Sequence, residues 1–252
     1  MSDLIFHHYP QSPVAEKVRV GMGLKKLSWH SVEIPRIPPK PDLMPLTGGY
    51  RRTPVMQFGA DIFCDSQSIL RELERRYPEP TFFSERSGGL EWGISRWTDT
   101  DLFIAMIKLI LSVSADSIPA EFVKDRTRLY LGENADLREV AKNIPHLVSQ
   151  IRAQLGWIEQ RLAEELDFIS GDKPGLPDAQ FYYLIWFLRG RWDGGPGLLS
   201  EFPALEAWEA RIQEIGHGTS TELSSTEALV IAKASTTEFS LDIDVRDPLA
   251  LE

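Results

Sequence analysis

Ser12 stands immediately before Pro13, and the apolar residues Val14, Val18 and Met22 follow at helical spacing. A hydroxyl just ahead of a helix start can donate a hydrogen bond to an anion held at the positive end of the helix dipole. If that anion is a thiolate, the bond favours the charged form and lowers the thiol pKa. The same serine is equally explained as an N-cap with proline at the first helical position. Tyr9, just upstream, is the other hydroxyl of this segment. Asp65-Ser66 offers a second helix start, whose unpaired N–H groups suit a carboxylate, and a simple N-cap again accounts for both residues. Between these two places lies Arg51-Arg52-Thr53-Pro54-Val55. A cis bond before Pro54 can aim the next residue's backbone N–H and C=O at a ligand, whereas a plain trans proline at a strand start needs no ligand.

The other reactive side chains read as structural. Cys64 is the only cysteine, so an intramolecular disulfide and a multi-cysteine metal site are both excluded. It ends an apolar run and faces a core by alternation. His7 and His8 are adjacent on a strand and face opposite sides, so they cannot share one metal. His30 and His146 have no ligand-spaced partner, and His217, between Gly216 and Gly218, reads as a loop residue. No metal site is expected. Trp92, Trp97, Phe103, Trp157, Trp186 and Trp192 read mostly as core, with some able to line an apolar pocket. The run Arg71-Glu72-Leu73-Glu74-Arg75-Arg76 is most simply a solvated helix face.

These residues must be positioned by two kinds of periodicity. Leu4-Ile5-Phe6 reads as a buried strand, the segment after Pro13 as a helix, and Trp29, Val32 and Ile34 as a second strand. Val55 to Phe58, a turn at Gly59-Ala60-Asp61, and Ile62 to Cys64 read as a hairpin. A helix follows, with Ile69, Leu70, Leu73 and Tyr77 inward. The order is β-α-β then β-β-α, over about residues 1–84. Pro78, Pro80, Gly88 and Gly89 mark a break. From about Leu90 to about Ala234 the patterns are helical throughout, which gives an all-α domain over about 88–220. In the remaining extension, 221–252, Ser224-x-x-Glu227 is a capping box. Phe239, Leu241, Ile243 and Val245 then alternate with polar residues as in a strand, which suits the start of a further domain that this chain does not contain, or else a strand that pairs with a second subunit or packs across the first domain.

The full chain has 252 residues, with 27 Lys+Arg against 37 Asp+Glu and a net charge of −10, which argues against general nucleic-acid binding. The N-terminus lacks a signal-peptide pattern, and the most apolar run, from Leu102, is too short to span a membrane. With the lone cysteine, a soluble cytoplasmic protein is expected.

The order and spacing of these segments resemble the soluble glutathione transferase superfamily. Ser12-Pro13-Val14-Ala15-Glu16-Lys17-Val18-Arg19 is similar to the active-site segment of its Ser- and Cys-type classes, Thr53-Pro54-Val55 to its cis-proline motif, and Asp65-Ser66 to its Glu/Asp-Ser motif. Gly171 to Ala179 resembles the cap of its central helix, although Gly175 replaces the usual Ser or Thr. Phe202-Pro203-Ala204-Leu205-x-x-Trp208 resembles a late helix. The resemblance implies a thioredoxin-like α/β domain followed by an all-helical domain. It also implies glutathione as cofactor, a homodimer, a role in detoxification and transfer to a small, apolar electrophile. On that basis Ser12, or alternatively Tyr9, contacts the sulfur. Val55 after a cis Pro54 pairs with the cysteinyl part, Asp65 and Ser66 hold the γ-glutamyl end, and Arg52 or Lys40 meets the glycyl carboxylate. Trp97 and Asp101 are expected beside the electrophile. The alternative is a binding or scaffold protein of the same fold with little or no transferase activity. A serine in place of cysteine disfavours a thiol-reductase role, which needs a protein thiolate.

Overall fold

Strand β1 (Leu4–His8) is buried at all five positions, because both faces of the sheet are covered. A strand covered on both sides needs no polar alternation, which is why Leu4-Ile5-Phe6 reads as a continuous apolar run. In this computed structural model, which describes residues 3–84 and 89–238, β1 is followed by helix α1 (Pro13–Leu24) and β2 (Ser28–Glu33), parallel to β1. Strands β3 (Val55–Phe58) and β4 (Asp61–Cys64) form the hairpin, and β3 runs antiparallel to β1. Helix α2 (Ser66–Arg76) closes this half. Phe6, Val18, Met22, Met56, Ile69 and Leu73 pack between the sheet and the two helices. Ile5, Tyr9, Val32, Leu43 and Val55 form a smaller core on the opposite face.

The helical half comprises α3 (Gly89–Trp97), a π-helical turn (Thr98–Leu102), α4 (Phe103–Ser114), α5 (Ala120–Leu131), α6 (Leu137–Ala141), α7 (Ile144–Leu162), α8 (Leu176–Arg191), α9 (Gly195–Leu199) and α10 (Pro203–Ile215). Helix α8 is buried almost all round and forms the centre of this half. Asp178, fully buried, accepts hydrogen bonds from the N–H groups of Gly175 and Ile169, the Ser170 hydroxyl and the Trp208 indole, all at 2.8 Å. Glycine is required at 175, because a Cβ there would lie 2.6 Å from the Phe82 carbonyl oxygen. That close approach lets the Leu176 N–H bond to Phe82 and joins the two halves.

The chain then returns to the sheet. Thr219–Glu222 form β5, parallel to β2, giving the strand order β4-β3-β1-β2-β5. This corrects the expectation of helical patterns alone up to Ala234. The strand is exposed at every residue and wholly polar, so no hydrophobic alternation marks it. Its ladder holds it, together with the Trp29 indole N–H donating to the His217 carbonyl at 2.8 Å. His217 is also more than a loop residue, since its Nε2 meets Glu16 Oε1 at 2.8 Å. Helix α11 (Ser225–Ala234) opens with the expected capping box and lays Ala228 on the small core. The strand expected at Phe239 to Val245 lies outside the described residues.

Residues 71–76 also differ from expectation. Glu72 is buried and takes the guanidinium N–H groups of Arg75 and Arg76. The Arg76 guanidinium, itself almost wholly covered, stacks 4.1 Å over the Phe58 ring. The face that looked solvated therefore ties α2 to the hairpin. No described helix is long and apolar enough to cross a membrane.

Candidate active site

The starts of α1 and α2 and the loop before β3 open onto one cleft of about 470 Å³, walled on the far side by α4, α5 and α8. Ser12, only 2% exposed, caps α1 by accepting the Ala15 N–H at 3.2 Å. One lone pair of the oxygen is thus used for capping, and the hydroxyl proton has no acceptor among the described residues. Asp65 caps α2 by accepting the N–H groups of Gln67 and Ser68. Its φ of +74° and ψ of 131° lie in a region nearly confined to glycine, a conformation that costs on the order of 1–3 kcal/mol and clusters at ligand-binding sites. Ser66 opens α2, whose first N–H groups have no intrahelical partner. The Thr53–Pro54 peptide bond is cis.

Seven of the expected residues line this cleft together: Tyr9, Ser12, Lys40, Arg52, Pro54, Asp65 and Ser66. Three do not. Val55 is fully buried and pairs with His7 on one side and Cys64 on the other, so Thr53, on the other side of the cis bond, is the residue at the cleft. Trp97 packs in the helical core against Trp157 and Phe181 and donates to Gln154 at 2.6 Å. Asp101 is exposed and away from the lining. The physical reason is which face of the helix packs against the first half of the chain. The face turned to the cleft runs through Thr100, Ile104, Ile107 and Leu111 at helical spacing, and Asp101, one residue beyond Thr100, points roughly 100° away from it.

Tyr9 and Ser12 differ in what surrounds them. The Tyr9 hydroxyl accepts from Arg126 of α5 at 3.2 Å, and the same guanidinium group donates to the Arg36 carbonyl. Asp99 is saturated: it takes Lys17 Nζ on both oxygens at 2.7 Å and the Tyr183 hydroxyl at 2.9 Å. Lys40 is buried and donates to Thr53 Oγ1 at 2.8 Å. Burial, and then the charges of Arg126 and Arg51, bring its pKa down to about 8. Burial raises the Cys64 thiol pKa, with the Asp65 carboxylate adding to it, so this sulfur is not a ready nucleophile.

Sequence reasoning missed Arg36, Arg51, Arg126 and Arg191, which also line the cleft. The lining thus holds six cationic side chains against two carboxylates, Asp65 and Asp99, in a chain of net charge −10. Among the described residues no group of three His, Cys, Asp or Glu could hold a metal ion.

Comparison with known proteins accords with this geometry. The glutathione S-transferase N-terminal domain model matches residues 6–81, and the C-terminal domain model matches residues 135–211. A GST-like protein from Pseudomonas syringae is 33% identical with a TM-score of 0.77, over 100% of this chain and 82% of that one. The chain belongs to the glutathione transferase superfamily. Its mixed-sheet N-terminal domain and helical C-terminal domain are those of the glutathione transferase fold. Poplar glutathione transferase F1 shares that fold at 16% identity and a TM-score of 0.61, covering 93% of this chain and 100% of its own. A glutathione transferase from Phanerochaete chrysosporium does so at 17% identity and a TM-score of 0.67, over 86% and 100%. No curated protein matches the sequence.

Proposed function

We propose that the cleft binds glutathione and holds its sulfur as a thiolate for transfer to an electrophile. The observation that carries this reading is Ser12, whose hydroxyl proton is uncommitted in the same cleft as two helix starts and the strained Asp65. These groups fit the ligand. The Asp65 carboxylate suits the γ-glutamyl ammonium, and the opening N–H groups of α2 at Ser66 suit its carboxylate. Thr53 takes the backbone role first expected of Val55, because Val55 is committed to the sheet on both sides. Lys40 and Arg52 suit the glycyl carboxylate.

Bound glutathione supplies the nucleophilic thiol, so no covalent enzyme intermediate is required. Ser12 donates to the developing thiolate and favours it over the thiol. The apolar wall of Phe103, Ile104, Ile107, Leu111 and Phe187 receives the electrophile and keeps water from the reacting atoms, in place of Trp97 and Asp101. The reading extends to a homodimer located in the cytoplasm.

Calorimetric titration with glutathione, paired with turnover of 1-chloro-2,4-dinitrobenzene, tests it. Binding in the micromolar to millimolar range with measurable conjugation is expected. No heat and no thermal shift at millimolar glutathione would replace this reading by the scaffold alternative.

A further inference from the structure

The cationic side of the cleft is larger than glutathione requires. Arg36, Lys40, Arg51, Arg126 and Arg191 line it from four separate parts of the chain. Among the described residues, the only carboxylate paired with any of them is Asp125, shared by Arg51 and Arg126. Arg36 and Arg191 form no ion pair among the described residues, and the Arg36 guanidinium carbon lies over the Phe122 ring, 4.1 Å from its centroid. Arg126 stacks on the same ring at 4.8 Å and is 9% exposed, so Phe122 orients both guanidinium groups beside the apolar wall. These cations repel each other. The pKa of Lys40 is lowered by burial and then by Arg126 and Arg51, and that of Arg191 by partial burial and then by Arg36. A cluster of like charges around a cleft attracts and orients ligands of opposite sign.

On the reading above, glutathione offers this side one group, the glycyl carboxylate, since its other carboxylate and its ammonium are accounted for at Asp65 and Ser66. One carboxylate leaves most of the cluster without a counter-charge. We infer that the second substrate is an amphipathic anion, with its apolar body against Phe103, Ile107 and Phe187 and its carboxylate or sulfonate between Arg36, Arg126 and Arg191. The inference rests on the proposed transfer reaction only for the word substrate. The anion subsite itself stands on the cationic cluster and the apolar wall. It narrows the apolar electrophile first expected to one that also carries a negative charge.

Two dyes with one apolar skeleton test the subsite without turnover: 8-anilinonaphthalene-1-sulfonate and its uncharged counterpart N-phenyl-1-naphthylamine. Fluorescence titration of the glutathione-free protein is expected to give the sulfonate a Kd lower by about tenfold. The double variant Arg36→Gln/Arg191→Gln is expected to abolish that preference, and Arg36→Lys/Arg191→Lys to keep most of it, which separates lost charge from lost folding. Equal affinity for the two dyes, or a preference untouched by the Gln variant, overturns the inference. Turnover then tests the same point on a reacting pair, 4-chloro-3,5-dinitrobenzoate and the analogue with trifluoromethyl in place of carboxylate. In each a C–S bond to glutathione forms, the C–Cl bond breaks and chloride leaves with the electron pair. The ratio of kcat/KM, anion over neutral, is expected to fall about tenfold in the Gln variant, and an unchanged ratio overturns the assignment to the second substrate. Absence of glutathione binding with the sulfonate preference intact overturns the transferase reading and leaves the anion subsite standing.

Discussion

Replacing Ser12 separates its two roles, because Ala and Gly differ as N-caps but are alike in lacking the hydroxyl. As a cap, Ser12 accepts the Ala15 N–H in a nearly closed environment. Its loss costs about 1 kcal/mol for Ala but only about a few tenths for Gly. For a chain of this size that is a fall in Tm of roughly 2–4 °C for Ser12→Ala and under about 1 °C for Ser12→Gly. As the proposed donor, the hydroxyl would make a hydrogen bond to a charged sulfur, worth about 1.5–3 kcal/mol. At about 1.36 kcal/mol per unit, the pKa of the bound thiol rises by roughly 1–2 units in either variant. Below that pKa the thiolate fraction, and with it turnover, falls by about 10- to 100-fold. The assay is kcat/KM for 1-chloro-2,4-dinitrobenzene against pH, with thermal melting alongside. Both variants are expected to move the acidic limb upward equally while only Ser12→Ala loses stability. An unmoved limb in Ser12→Gly refutes the reasoning, and a moved limb in Tyr9→Phe would transfer the role to Tyr9.

Three further outcomes are expected. Asp65→Asn keeps an oxygen for the N–H groups of Gln67 and Ser68 but loses the charge, so titration should show glutathione binding weakened by roughly 10-fold or more at an unchanged Tm; unchanged affinity would remove Asp65 from the site. Burial holds Lys40 at a pKa of about 8, below the roughly 10.4 of an unfolded lysine, so its charge destabilises the fold below pH 8 and the penalty fades as pH rises toward 10. Calorimetry should therefore find Lys40→Met melting above the parent at pH 7 and level with it at pH 10, with weaker glutathione binding, and no gain at pH 7 would contradict this. A Cβ on Gly23 would come within 1.9 Å of the Gly216 carbonyl oxygen, so Gly23→Ala should lose about 1–3 kcal/mol by urea unfolding, and a neutral result would mean that α1 and the end of α10 can separate freely.

Much of the fold was legible because its elements carry strong periodicity. The run in β1, the inward faces of α1 and α2, and the hairpin turn at Gly59-Ala60 are local patterns that a sequence displays directly. Ser12 and Asp65-Ser66 were legible for the same reason, since capping and anion binding use the same residue types. What escaped was non-local. Strand β5, Thr219–Glu222, is an exposed polar edge whose only cue is its partner β2, nearly two hundred residues earlier. Trp97 and Asp101 were misplaced because tertiary packing decides that Thr100, Ile104, Ile107 and Leu111 are the face turned to the cleft, and composition does not display that choice. Arg36, Arg126 and Arg191 carry no common motif and meet only because the Pro-rich segment, α5 and the end of α8 fold onto one cleft. The overall charge of −10 even pointed the other way, since cationic side chains are concentrated in the cleft while the excess acidity lies elsewhere.

A crystal structure with glutathione bound would show how the tripeptide sits in the cleft. The sulfur is expected within hydrogen-bonding distance of Ser12 Oγ, the γ-glutamyl end at Asp65 and Ser66, and the backbone of Thr53, not Val55, beside the cysteinyl part. A sulfur lying beside Tyr9 or away from both hydroxyls, or a tripeptide seated elsewhere on the protein, would contradict this placement.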